Sequence, residues 1–316
     1  MRFKHVALGC LAIPLALLFI GGVFFLVAWL KGPLPEGAET AHQLNEPLPR
    51  SIVTPSAGSD TSAGLQSAGS AVLSVRLDLE AGEFEITPDA IGGSIQVEGD
   101  FQDGLYKLEP EWSEGDDGPR FELTFRGGGA VRQLQKWIHD QGYANEPRVR
   151  VDLPQGVPMH LSLRVRKCEA DVDLSGLSLL SLEYEHAMGS SVVLFREANP
   201  VTMEMLDIRA KMGDVEIAGL GNASARELAF RGRMGDFRLD FDGDWNQDMN
   251  ATIDMMMGSA TVRVPRNVDL NHDNRYVVFG GIETPGSSRR RDPETSGSRK
   301  SLSLQTSVRF GEISVR

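Results

Sequence analysis

A short phrase returns at a nearly constant interval along this chain: an apolar residue, a glycine, a small or acidic residue, then an alternating run. It reads Met188-Gly189-Ser190, Met212-Gly213-Asp214-Val215-Glu216-Ile217, Met234-Gly235-Asp236-Phe237-Arg238-Leu239 and Met257-Gly258-Ser259-Ala260-Thr261-Val262. Outlying copies stand at Ala81-Gly82-Glu83-Phe84-Glu85-Ile86 and Phe310-Gly311-Glu312-Ile313-Ser314-Val315. The glycines at 189, 213, 235 and 258 are 24, 22 and 23 residues apart, and a fixed step of that size marks stacked structural repeats. One such unit cannot cover its own apolar face, so the unit of stability is the stack. A chain of this kind is built to present a surface more readily than a reaction centre.

Alternation on both sides of the glycine is the pattern of a half-buried strand, because successive side chains point to opposite faces. Leu206, Ile208, Ala210 and Met212 share one face before Gly213, and Val215 and Ile217 share one after it. The next copies offer Leu228, Phe230, Gly232 and Met234, then Phe237 and Leu239, followed by Ala251, Ile253, Met255 and Met257, then Ala260 and Val262. This predicts an internal ladder of Met188, Met212, Met234, Met257 and Phe310, with Cys168 as a further member. The glycine is expected to turn the chain from one strand into the next, since it adopts positive φ at little steric cost. Each repeat then holds about two strands of five or six residues, with rungs about 4.8 Å apart. The fold class is all-β, with β-solenoid-like stacked repeats of about 20–24 residues.

Ahead of the repeats, residues 6–30 form a 25-residue stretch without a charge, and a helix spans a bilayer with about 20 apolar residues. Secretory signals have shorter apolar cores of about 7–15 residues, so an uncleaved single-pass transmembrane helix is expected. Arg2 and Lys4 precede it and only Lys31 closely follows. The positive-inside bias therefore assigns residues 1–5 to a cytoplasmic tail and the C-terminal domain to the extracytoplasmic side, periplasm or cell surface. Residues 31–71, rich in Pro, Gly, Ser, Ala and Thr, are expected as a flexible linker with a reach of roughly 35 Å. Residues 72–316 make the folded domain. Its leading strands are expected at 72–79, 83–87, 94–98, 106–109 and 121–125, with a short helix over 131–143 from the spacing of Val131, Leu134 and Ile138. A long exposed loop at 280–300 is expected to interrupt the last repeat and to account for the jump from Gly258 to Gly311.

Leu174-Ser175-Gly176-Leu177, Leu182-Glu183-Tyr184, the later Met-Gly-Asp phrases and the closure Val262-Arg263-Val264-Pro265 together resemble the toast-rack domains of bacterial envelope proteins. Related domains occur in candidate adhesins and in the accessory membrane proteins of Lia-type cell-wall-stress signalling. The resemblance covers residues 72–316. It implies a β-solenoid-like fold and a role in interaction or sensing, and it brings no catalytic residues with it.

The chemistry-bearing residues are sparse. The six histidines, at 5, 42, 139, 160, 186 and 272, are too far apart in sequence for any short metal-ligand motif. No nucleophile elbow, Walker loop or dinucleotide fingerprint occurs, so neither enzymatic activity nor a cofactor is expected. His186 shares the inward register of Leu182 and Tyr184 and is expected as a structural residue. Cys168 has only Cys10, in the apolar N-terminal stretch, as a conceivable partner, so no disulfide forms within the domain. Thioethers favour Cu(I), but the methionines at 203, 205, 212, 234, 249, 255, 256 and 257 are read as core. Asp240, Asp242, Asp244, Asn246 and Asp248 alternate oxygen side chains in a turn and are calcium candidates. Glycine at the fourth place and Ala251 at the twelfth exclude an EF-hand. A formal charge of −12 argues against nucleic acid as a partner. Arg289, Arg290, Arg291, Arg299 and Lys300 form a local basic spot suited to an anionic partner.

The chain is therefore expected to be a membrane-anchored, non-enzymatic envelope protein that acts as an interaction or sensing module, in stress signalling or adhesion, through an envelope or membrane protein partner. The alternative is a self-assembling scaffold, a homo-oligomer joined through the open ends of the stack. A carbohydrate-active enzyme is the third reading, and it requires outward carboxylates that converge.

Overall fold

The computed structural model describes residues 39–49, 52, 72–89, 93–115, 118–128, 146–284 and 299–316. The expected membrane span at 6–30, the expected helix at 131–143 and Arg289, Arg290 and Arg291 lie outside the described residues. Among the described residues no helix is long and apolar enough to cross a membrane.

Among the described residues thirteen strands follow in chain order: β1 Glu39–Pro47, β2 Leu73–Asp89, β3 Ser94–Gln102, β4 Tyr106–Gly115, β5 Gly118–Gly127, β6 Arg148–Pro154, β7 Met159–Asp173, β8 Leu179–Leu194, β9 Met203–Ala218, β10 Ala225–Asp240, β11 Met249–Arg263, β12 Asp269–Glu283 and β13 Ser301–Val315. A 3-10 turn at Leu220–Ala223 separates β9 from β10. All strands belong to one sheet, ordered β1-β3-β6-β2-β7-β8-β9-β10-β11-β13-β12, with β5 and β4 attached beside β2. From β2 to β12 every neighbour is parallel. The protein is all-β, a long stack of parallel rungs, as the repeat period requires.

Each rung is a single strand that runs through its glycine, not two strands joined by a turn. Gly213 has φ 119° and Gly235 φ 150°, so the strand bends there without leaving the ladder. The bend also explains why the residue must be glycine. A methyl group built on Gly213 would land on the Gly189 carbonyl oxygen, one on Gly235 would land on that of Gly213, and the same holds for Gly258 on Gly235 and Gly311 on Gly258. The glycines form a column in which each occupies the space that a side chain on its neighbour would need.

Burial alternates up to this corner, slips, and resumes. In β9, Leu206, Ile208 and Ala210 are buried, Lys211, Met212 and Asp214 are exposed, and Val215 and Ile217 are buried again. An unbroken period of two would carry Met212 inward, but the bend rotates the residue before the glycine out of the interior. The expected internal ladder is thus corrected: Met188, Met212, Met234, Met257 and Phe310 are between 42% and 45% exposed. Cys168 does not align with them either. It pairs with Gly82 and Gly189, while Lys167 takes the place beside Met188. Cys168 is buried, at 7% exposure.

The two halves of each bent strand enclose the core, as the edge-to-face pair of Phe230 and Phe237 at 5.2 Å across one corner shows. Connectors between rungs close the remaining side with Leu174, Phe195, Leu220, Phe241 and Val264, all buried. Backbone bonds continue the stack through these connectors, from Phe195 N–H to Ala218 and from Phe241 N–H to Arg263, both at 2.9 Å. Two buried asparagines hold the connectors in register. The Asn199 amide donates to the carbonyls of Leu179 at 2.8 Å and Ala223 at 3.2 Å, and its oxygen accepts from Leu179 N–H. Asn222 donates to the Phe195 carbonyl at 2.7 Å.

At the N-terminal end the regular stack divides. The first half of β2 pairs with β5, which continues antiparallel into β4, while the second half pairs with β6, which continues through β3 to β1. β1 lies inside the segment expected as a linker, so that expectation is corrected at residues 39–47. Its half-buried side alternates His42, Leu44 and Glu46, a face with only one aliphatic residue, which conceals the strand from a hydrophobic pattern. The His42 ring stacks on Phe101 at 4.2 Å, and Trp112 Nε1 donates to Glu46 at 3.0 Å.

The C-terminal end also departs from expectation. Gly280 pairs with Gly311, so residues 280–283 belong to a rung and the break in the repeat begins after Glu283. β12 takes the outermost level, and β13 slots between β11 and β12. The polar run His272-Asp273-Asn274-Arg275 hides β12 in the sequence, because an end rung covers less of the core than an inner one.

Candidate interaction surfaces

Several outward carboxylates tie neighbouring rungs together. Arg209 reaches Glu183 on the rung before at 3.0 Å and Asp207 on its own. Arg231 reaches back to the same Asp207 at 3.0 Å, Arg226 to Glu204 at 3.0 Å and Arg238 to Glu216 at 3.6 Å. Lys211 pairs with Glu185, whose carboxyl is held below its usual value by that contact. These exposed pairs are each worth well under about 1 kcal/mol, but their repetition sets register.

Along the corners runs a different surface. The residues before the column glycines stack as Met188, Met212, Met234, Met257, Phe310 and Phe279, and all six are exposed. The last two rings are stacked at 5.4 Å. At about 4.8 Å per rung the ridge is about 24 Å long. Contiguous apolar surface of this kind marks a contact site more often than chance exposure does, and methionine suits it because its unbranched thioether adapts to a partner's shape. The signal in the sequence was the residue two before each glycine and the one after it: Lys211 and Asp214, Arg233 and Asp236, Arg309 and Glu312 are exposed on either side of the ridge.

The five calcium candidates do not converge on one point. Asp240 and Asp242 both face Arg263, at 3.4 and 3.2 Å. The Asp244 N–H donates to Asn222 at 2.7 Å, Asn246 reaches Ser224 at 3.4 Å, and Asp248 accepts from the Ser301 N–H at 2.8 Å. Among the described residues no group of three or more His, Cys, Asp or Glu could hold a metal ion. Arg299 is exposed and Lys300 half-buried at the entry to β13, where the Lys300 carbonyl accepts from the Asp269 N–H at 3.0 Å. Of the methionines read as core, Met203, Met249 and Met255 are buried, whereas Met205, Met212, Met234, Met256 and Met257 are exposed.

His186 lies fully buried in the stack, and its ring nitrogens make no well-formed hydrogen bond among the described residues. Burial lowers its pKa below the usual 6.5. Burial pushes the Cys168 thiol up to about 12, so at neutral pH it is a packed, protonated group and not a nucleophile. Tyr184, whose hydroxyl meets Ser191, is raised by burial as well. The Tyr184 and His186 rings lie 6.5 Å apart, and all three residues are buried.

A groove of about 500 Å³ opens on the N-terminal part, between β1, β3, β6, β2 and β7. Glu83, Glu85, Glu98, Asp100, Glu169 and Asp171 line it with Arg148 and Arg150. Arg148 meets Glu83 at 2.5 Å and Arg150 meets Glu85 at 3.6 Å, so the basic residues are already paired within the groove.

Residues 54–218, just over half of the chain, match the family model described as the N-terminal domain of toast_rack, DUF2154. No curated protein matches the chain. Among solved structures, a candidate cell adhesion protein from Clostridium sporogenes is similar at 13% identity and a TM-score of 0.41, covering 88% of this chain and 99% of that one. A candidate adhesin from Bacteroides fragilis has 11% identity and a TM-score of 0.39, covering 89% and 99%. A candidate lipid-binding protein from Parabacteroides distasonis has 11% identity and a TM-score of 0.38, covering 89% and 98%. Likeness at this level carries no argument about function.

Proposed function

This chain belongs to the toast-rack family through its N-terminal toast_rack domain, and on that premise we propose that it is a non-enzymatic interaction module of the cell envelope. The observation that carries this reading is the exposed six-rung ridge of Met188, Met212, Met234, Met257, Phe310 and Phe279. The hydrogen-bonded stack of parallel rungs supplies the support on which such a ridge is held. Residues 6–30, a charge-free stretch of membrane-spanning length, supply the anchor, and the domain stands on the extracytoplasmic side where adhesion or envelope-stress signalling takes place. A signal then passes through contacts of the ridge or of the membrane segment.

The test is proximity labelling in intact cells, comparing the native chain with Met212→Ser/Met234→Ser. The ridge variant should keep its strand signal in circular dichroism and lose a defined set of labelled neighbours. An unchanged set of neighbours would remove the ridge from the account.

A second reading rests on β12. Tyr276, Val277, Val278 and Phe279 are exposed on this outermost strand, Phe279 at 65%, and among the described residues it pairs only with β13. Open apolar edges recruit further strands, which supports an end-to-end scaffold. Concentration-dependent filaments of the purified chain, abolished by Val278→Lys, are the result that this reading requires.

A further inference from the structure

We propose that the ridge pairs with the ridge of a second copy of this chain, both stacks pointing the same way, about a two-fold axis parallel to the stack. The proposal rests on reading the ridge as a binding surface and goes on to name its occupant.

The argument is one of charge placement. All rungs are parallel and cross the ridge in the same direction, so the residue two before each glycine lies on one flank and the residue just after it on the other. Three ridge rungs are charged on both flanks: Lys211 with Asp214, Arg233 with Asp236, and Arg309 with Glu312. The other three are neutral on both: Ala187 with Ser190, Met256 with Ser259, and Val278 with Gly281. Wherever the basic flank is missing, the acidic flank is missing too. Within one chain nothing demands this correlation, because no ion pair joins the two flanks of any rung. Among the described residues Arg233, Arg309, Asp214 and Glu312 have no charged partner, and Lys211 turns to Glu185 instead.

A two-fold axis along the ridge places each rung against the same rung of the other copy and exchanges the flanks. Arg233 of one copy then faces Asp236 of the other, Lys211 faces Asp214, Arg309 faces Glu312, and each neutral rung meets itself. An axis across the ridge would set basic flank against basic flank. Only the first arrangement satisfies every level, and such a pairing closes on itself as a dimer. Apolar contact along the seam supplies attraction while the flanks select register and direction. A seam about 24 Å long and one ridge wide falls short of the roughly 800 Å² per partner of a standard interface. The pair is therefore of the weak class, favoured where copies are held at high local concentration.

Single cysteines test it in the full chain, solubilised in mild detergent and carrying Cys10→Ser, with the buried Cys168 left in place. Met188→Cys, Met234→Cys and Phe310→Cys should each give disulfide-linked dimers under gentle oxidation, since every rung meets itself. Arg233→Asp, and separately Asp236→Arg, should each lower cross-linking at Met234→Cys by about tenfold, and the two together should restore it. Cross-links confined to the mid-ridge position would overturn the shared direction, and failure of the double variant to restore them would overturn selection by the flanks. With no cross-link at any position the second copy is ruled out. If Met212→Ser/Met234→Ser still loses labelled neighbours in cells, the ridge remains a binding surface for a different protein; if it does not, both readings fall.

Discussion

The rungs from β7 to β12 and the strands before them solve the same problem, burying one face of a sheet, by different means. In the stack, one glycine column fixes the bend of every rung from β8 onward, Cys168 standing at that place in β7, the neighbours are all parallel, and the connectors follow one another level by level. In the N-terminal part β2 divides its two halves between β5 and β6, and antiparallel strands finish both branches. The stack transmits any local fault to the rungs above and below it, whereas the N-terminal part contains faults within a branch. Repetition gives a long uniform surface at the cost of intolerance at the repeated position.

Substituting glycine probes this difference most strongly. Gly235→Ala places a methyl on the Gly213 carbonyl oxygen at a backbone φ of 150°, so strain and overlap add to about 4 kcal/mol. Gly93→Ala, at φ 144° but with nothing within 4 Å of the added carbon, should cost only about 1–3 kcal/mol of strain. Equal losses in chemical denaturation would show that the column is not the special constraint described above. A smaller contrast concerns side-chain hydrogen bonds. Asn199→Ala leaves the Leu179 and Ala223 groups buried without their partner and should cost about 2–3 kcal/mol, while Trp112→Phe gives up one half-buried bond to Glu46 and should cost about 0.5–1 kcal/mol.

The smallest expected effect is on pH dependence. His186 is neutral in the folded stack because burial lowers its pKa, and in the unfolded chain it takes up a proton below about 6.5. The unfolded state then binds more protons, so stability is full above that value and falls as the pH drops toward the folded pKa, by at most about 1.4 kcal/mol per pH unit. His272, lowered by burial to a similar end, adds to the same slope. His186→Leu should flatten the acid limb of a melting-temperature profile between pH 6.5 and the onset of carboxylate titration. An unchanged limb would remove His186 as its source and leave His272.

What could be read from the residues, and what could not, divides along the same line. The rung spacing was legible because from Gly189 onward each column glycine lies against the backbone of its neighbour, where a side chain would collide, and the inward sets Leu206, Ile208, Ala210, Val215 and Ile217 were legible because they alternate within each half. The ridge was not, since a period of two carries no mark of the rotation at the bend, and in the linear pattern Met212 continues the inward face. β1 and β12 escaped because strands at the ends of a sheet bury less and so carry His42, Glu46, His272 and Asn274 where inner rungs carry aliphatics. Asn199 and Asn222 escaped for another reason. Their task is to satisfy backbone groups of neighbouring connectors, and nothing in a linear pattern shows which connectors will be neighbours.

The interleaving of the last two strands has a kinetic consequence. β13 is made after β12 yet lies inside it, so while the chain is still emerging the edge of β11 is open and β12 is at hand to cover it before β13. Gly258 and Gly280 stand 22 residues apart, a spacing that other adjacent rungs share, which permits that provisional docking in proper register. Completion then requires β12 to lift away and admit the final fifteen-residue strand. Pulse-labelled hydrogen exchange during refolding should accordingly find β11 shielded early and β13 late, with a transient species whose length is one level short.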